Sequence, residues 1–239
     1  GGLISNPGVI LANAIACLVD VNGRIKVDAL RPQSLTNSVR MALADCTVEG
    51  GESGPEVEPE WGEPGLTPAE RVFGWNSFEV LAFKTGNPEN PVNAIPPRAR
   101  ATCQLRYVVG TDPAEIIPAI EAQLAAHGFD QVAVSPARLG VSKATRLDPD
   151  HPWVRFAAAS LAETTEKKPA ILPNLGGTLP NHVFAETLNL PTIWVPHSYA
   201  ACSQHAPNEH LLPAVAREGL QIMAGLFWDI GAGGTRATA

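Results

Sequence analysis

The sequence predicts an α/β protein in two parts, with residues 1–146 forming an α+β unit and residues 147–239 forming part of an α/β layer. Three observations predict it. The first part reads helix, strand, strand, helix, strand, which is a ferredoxin-like split βαβ sandwich short of its opening strand, and that strand is expected upstream of Gly1. After Leu147, helical stretches alternate with short apolar strands, the pattern of a largely parallel sheet. With 45% hydrophobic and 17% charged residues over 239 positions, the chain has apolar surface enough for one large core or two smaller ones.

The elements follow in order. Ser5-Asn6-Pro7 offers an N-cap with proline in the first turn, and Ile10, Leu11, Ala14, Ile15, Leu18 and Val19 recur at helical spacing. This amphipathic helix ends at the Asn22-Gly23 turn, and Arg24 to Val27 reads as a short strand or an extended link. From Glu49 to Glu63 there are six glutamates and no basic residue, too little apolar area to fold alone, so a mobile acidic loop is expected. Ser77 to Lys84 and Arg100 to Val109 are β-rich runs divided by Gly86-Asn87-Pro88-Glu89-Asn90-Pro91, and they are expected to pair antiparallel. Asp112-Pro113-Ala114-Glu115 is a capping-box-like start for a second helix, with Ile116, Ile117, Ile120 and Leu124 as its buried stripe before Gly128. Gln131 to Ser135 completes the first part as a strand.

The second part is expected to run as a helix from about Pro152 to Thr164, a strand at Ala170 to Leu172, a helix near Pro180 to Leu188 and a strand at Thr192 to Val195. A last helix should start at Asn208, carry Leu211, Leu212, Val215, Ile222, Met223 and Leu226 on one face, and stop by Gly231. The five tryptophans, Trp61, Trp75, Trp153, Trp194 and Trp228, are read as core or interface anchors.

Charge and composition argue against several function classes. Seventeen Lys+Arg against 24 Asp+Glu leave a net charge of −7, a field that repels phosphate backbones, so nucleic acid is not an expected partner. The longest apolar stretch, Ile10 to Val19, contains Asn13 and falls short of the roughly 20 residues that cross a bilayer, so no membrane partner is expected either. Cys17, Cys46, Cys103 and Cys202 form no CxxC pair and no export signal is visible, which points to reduced thiols and a cytoplasmic location. Gly51-Glu52-Ser53-Gly54 runs into Pro55 and makes no nucleophile elbow, and no dinucleotide or Walker fingerprint occurs.

Chemistry-bearing residues concentrate in the polar loop Pro196 to Glu209, between an apolar strand and a long helix, where α/β proteins place their sites. His205 is the candidate metal ligand, because a neutral loop imidazole can coordinate a divalent cation. Alone it reads more readily as a hydrogen-bonded loop histidine, and the lone Cys202-x-x-His205 lacks the second pair of a structural zinc site. In context, Ser203-Gln204-His205-Ala206-Pro207-Asn208-Glu209 resembles the final metal-ligand motif of the co-catalytic zinc peptidases and amidohydrolases that include carnosinase, glutamate carboxypeptidase and aminoacylase. Asn174-Leu175-Gly176-Gly177-Thr178-Leu179-Pro180 is similar to their Gly-Gly-Ser/Thr-x-Pro turn, although Leu175 stands where many relatives carry Arg. Asn93-Ala94-Ile95-Pro96, Ala99 and Leu105-Arg106 resemble their lid signature, with the expected separation of 106 − 93 = 13 positions. Gly1-Gly2 with Asn6-Pro7, and Asn22-Gly23-Arg24-Ile25, fit two further landmarks of that lid.

The resemblance implies that residues 1–146 are a dimerisation lid and 147–239 the last segment of a zinc-dependent catalytic domain. His205 is then a metal ligand; Gly176, Gly177 and Thr178 contact the substrate carboxylate; and Asn93 and Arg106 reach across a homodimer to oxyanion and carboxylate. Two zinc ions, with cobalt or manganese as alternatives, are implied per intact site, acting on a peptide or N-acyl amino acid. The family's His-x-Asp pair, bridging Asp, Glu-Glu pair and further carboxylate have no counterpart in the sequence and are expected upstream, as the opening Gly-Gly without methionine also suggests. The 239-residue chain is therefore expected to be inactive alone. The rival expectation is a non-catalytic dimerisation or small-molecule-binding module of split βαβ type; a relative that has lost its metals is a third.

Overall fold

The computed structural model describes residues 2–48, 56–137 and 142–233. Gly1 and the 49–55 part of the acidic segment lie outside the described residues. The elements run in the order α1 (Pro7–Leu18), α2 (Asn37–Ala44), α3 (Pro68–Gly74), β1 (Ser77–Thr85), β2 (Ala99–Arg106), α4 (Ile116–Ala126), α5 (Pro152–Thr165) and α6 (Pro213–Gly231), with short 3-10 and π turns between. They fall into two compact units, one of residues 1–35, 58–144 and 176–179, the other of 36–57, 145–175 and 180–239.

In the first unit α1 starts where the Asn6 side chain accepts the Gly8 and Val9 amides and Pro7 needs no partner. Its buried stripe of Ala14, Cys17 and Leu18 meets α4 and the hairpin. β1 and β2 pair antiparallel in the register Phe78↔Leu105 and Thr85↔Ala99, with an irregularity between Val80 and Ala82. The core closes around Leu30, Ile25, Val27, Phe78, Ile120 and Leu124. Buried Asn76 ties the ends of the hairpin to the rest, donating to the Leu30 carbonyl (2.8 Å) and to Thr111 Oγ1 (2.9 Å) and accepting the Val108 amide (2.8 Å).

Two expectations change here. Gln131 to Ser135 forms no ladder, so the only sheet among the described residues has two strands; Val132 and Val134 still pack on the core. The 56–63 part of the acidic segment is fastened down. Arg71 donates to the carbonyls of Pro59 (2.7 Å), Trp61 (2.6 Å) and Glu63 (3.0 Å), and the Gly62 amide bonds the Asn22 carbonyl at 2.6 Å. Arg71 belongs to α3, which Thr67 and Glu70 start with a capping box. Glutamate content foretold solvent and not these main-chain acceptors, which a guanidinium can collect.

In the second unit α2 buries Val39 and Leu43 completely. α5, capped by His151 Nδ1 accepting the Trp153 amide, packs on α6, where Ser160 Oγ bonds Asp229 Oδ2 at 2.6 Å. α6 begins at Pro213 and not at Asn208, because Asn208 lies in the left-handed region (φ 65°) and Leu212 takes the cap position ahead of a proline. Residues 170–172 and 192–195 form no ladder, and the helix expected near Pro180–Leu188 is a π turn at Val183–Thr187. Trp61 is an anchor against the Gly23 turn, whereas Trp228, 78% exposed, is not in the core. No helix among the described residues is long and apolar enough to cross a membrane.

Candidate functional site

Within the first unit, two motifs 176 − 106 = 70 positions apart come together. Arg106 closes β2, in register with Ser77, and its exposed guanidinium reaches the Gly176 turn: Nη1 lies 3.6 Å from where a Cβ on Gly176 would stand. That contact is within one chain, whereas the resemblance implies a reach across a dimer. A Cβ on Gly177 meets nothing within 4 Å, and neither glycine needs a left-handed backbone. Packing within the chain therefore does not demand glycine here, and space beside the turn is left for a ligand. Thr178 is exposed next to it. The helix start expected to add amide donors after Thr178 is too short and irregular to do so. Asn93 sits exposed at a bend of the β1–β2 connection and makes no hydrogen bond among the described residues.

His205 lies in a segment of the second unit that closes on itself. The Cys202 amide bonds the Tyr199 carbonyl (3.0 Å), Ala206 the Ser203 carbonyl (2.9 Å) and His210 the Cys202 carbonyl (3.0 Å). Glu209 Oε2 accepts the His205 amide at 3.4 Å. Ser203, His205 and Asn208 all adopt positive φ (58°, 62° and 65°), each costing on the order of 1–3 kcal/mol for a side-chain-bearing residue. The His205 ring is exposed and makes no hydrogen bond among the described residues.

One imidazole fits one coordination position of a metal. Among the described residues no group of three or more His, Cys, Asp and Glu converges to hold one, so any further ligands must come from elsewhere.

The structure adds a cavity of roughly 300 Å³ in the second unit that contains none of these residues. Arg146, His151, Asn181 and Asn189 line it. Burial pulls the Arg146 guanidinium below its ordinary pKa, with Asp148 opposing. Asn181 is held by Thr145 (2.7 Å) and Trp194 (2.9 Å). Only the N-cap position of His151 before Pro152 was open to sequence reasoning; the rest converges from distant positions.

Residues 2–131 match the peptidase dimerisation domain of M20 enzymes. The chain belongs to the M20 peptidase family. No curated protein matches it. Among solved structures it resembles the M20 family metallo-carboxypeptidase Sso-CP2 from Sulfolobus solfataricus (TM-score 0.74, 20% identity), covering 94% of this chain and 52% of that one. It also resembles the di-peptidase Dug1p from Saccharomyces cerevisiae (0.65, 17%; 95% and 49%) and human carnosine dipeptidase 1 (0.65, 16%; 96% and 50%). At these identities the likeness is one of fold, and this M20 chain spans about half the length of the structures it matches.

Proposed function

We propose that this chain carries the dimerisation lid, residues 1–146, and the closing catalytic segment, residues 147–239, of a metal-dependent hydrolase that cleaves peptide or amide bonds next to a free carboxylate. The observation that carries this reading is Arg106 beside the Gly176-Gly177-Thr178 turn. A guanidinium pairs with a carboxylate through two parallel N–H donors, and a glycine turn with open space lets the substrate tail approach the backbone. Arg106 holds the tail, Thr178 adds a hydroxyl donor, and Asn93, supplied by the second copy of a homodimer, donates to the carbonyl oxygen as negative charge grows there. The exposed apolar side chains Val80, Leu81 and Phe83 of β1 support pairing of two lids.

His205 would hold one of two metals, zinc being one that imidazole ligates well, with the other ligands and the general base in a portion of the enzyme outside these 239 residues. The relatives' coverage of 49–52% supports such a portion. When bound, the metal supplies Lewis acidity, polarising the carbonyl and acidifying water. The chain alone is then inactive, and the enzyme works in the cytoplasm.

In the complete enzyme, His205→Ala should lower metal content and abolish amide hydrolysis. Arg106→Ala should raise KM for substrates with a free carboxylate at least tenfold while sparing their amidated analogues. Full metal content and unchanged hydrolysis in His205→Ala would refute the ligand role; equal KM changes on both substrate types would refute the carboxylate role.

A further inference from the structure

Among the described residues no side chain or backbone group bonds the His205 ring, so its aim is set by the backbone around it. That backbone is a bridge of fourteen residues, 199–212, with three left-handed side-chain-bearing positions, an arrangement that relaxes unless its ends are clamped. Its two ends meet at one hydroxyl. Tyr199 Oη accepts the amide of Leu212 at 3.1 Å and donates to the carbonyl of His210 at 3.3 Å. The Tyr199 ring stands edge-on to His210, 6.0 Å between centroids at 74°. Leu212 immediately precedes Pro213, the first residue of α6, so the clasp ties the loop to a long helix that is itself packed on α5.

We propose that Tyr199 is a positioning residue: its hydroxyl locks the 199–212 loop so that His205 is aimed at its metal before the metal arrives. The inference rests on the reading of His205 as a ligand. A phenol is needed because a single atom must both accept one backbone amide and donate to one backbone carbonyl across the loop's mouth; phenylalanine keeps the ring and loses both bonds. Groups hydrogen-bonded to a metal ligand change metal affinity by about 10–100-fold when removed, and a group that acts one step further out belongs at the low end of that range.

Two variants break the clasp from opposite sides. Tyr199→Phe removes the hydroxyl. Leu212→Pro removes the donated amide at a position whose φ of −66° and ψ of 135° suit proline. In the complete enzyme, each should weaken zinc binding, read by chelator competition, about tenfold, and should alter the visible spectrum of the cobalt-substituted protein. The double variant should be no weaker than Tyr199→Phe, since the amide bond that Leu212→Pro removes is already lost with the hydroxyl. Zinc affinity and cobalt spectrum equal to wild type in either single variant, with His205→Ala having lost its metal, would overturn the clasp alone. Retention of both metals in His205→Ala would overturn the ligand reading beneath it.

Discussion

In the first unit, the inward side chains Phe78 and Leu105 of the hairpin lie against α1 and α4, and the core around Leu30 is sealed by the chain's own helices and loops. In the second, α5 and α6 pack on each other, but the apolar runs at 170–172 and 192–195 form no ladder. Ile193 and Trp194 there remain 38% and 51% exposed, as does Leu190 just before the second run at 52%. The two units have similar apolar supply and differ in pairing. A strand gains its stability from a neighbour, so a β-branched run with no neighbour keeps its side chains in water whatever its propensity. The first unit is closed by local partners; the second holds together by its helices.

The largest test of that difference replaces one leucine in each. Leu30→Ala empties a position only 2% exposed and should cost about 2–5 kcal/mol. Leu190→Ala in this chain should cost about 0.5 kcal/mol or less, because half its surface is already in water. Hydrogen exchange read separately over α1 and α4 and over α5 and α6 measures both. Equal losses would show that the second unit is as well sealed as the first.

A smaller effect separates two uses of glycine. Gly23 has φ of 75° and a Cβ there would stand 2.7 Å from the Trp61 ring, so Gly23→Ala should destabilise the first unit by about 1–3 kcal/mol. Gly65→Ala, with the same φ and no neighbour within 4 Å, isolates the backbone share of that loss. Gly219 of α6 has an ordinary helical backbone, and the nearest atoms to its Cβ would be those of the His197 ring, at 2.8 Å. Alanine gains about 1 kcal/mol over glycine inside a helix, which offsets the shift of that ring, so Gly219→Ala should be near neutral in denaturant titration. A loss as large as that of Gly23→Ala would mean the His197 ring cannot move.

Legibility in the sequence follows the same divide. α1, α4, α5 and the hairpin were readable because their signals are local: Asn6 before Pro7, Asp112 before Pro113, periodic apolar positions, and a Pro- and Gly-rich break between two β runs. α2 and α3 leave little periodic signal although Thr36 and the Thr67/Glu70 pair cap them, since neither exceeds eight residues. The failed strands, 131–135, 170–172 and 192–195, needed pairing partners that no local pattern supplies. The displaced start of α6 came from a left-handed Asn208, a conformation residue type only weakly encodes. At the site, the motif at His205 was visible, but the meeting of Arg106 with Gly176 and the Tyr199 bridge to Leu212 are contacts at a distance.

The smallest effect concerns charge at the turn that ends α1. The Asp20 carboxylate accepts the amides of Arg24 (2.9 Å) and Asn22 (2.8 Å), and the Arg24 amide first of all holds its pKa below the ordinary carboxylate value. A carboxyl whose pKa falls on folding releases its proton more readily in the native state. It therefore stabilises the first unit above the unfolded-state pKa of about 4, and this contribution fades as pH drops through the lower native value. Asp20→Asn keeps an oxygen that can accept the same amides and removes only the charge. Its stability deficit relative to wild type should be small at pH 7 and should shrink below about pH 4, as measured by urea titration at each pH. A deficit that persists unchanged to pH 2 would show that the Asp20 turn depends on shape, with the charge contributing nothing.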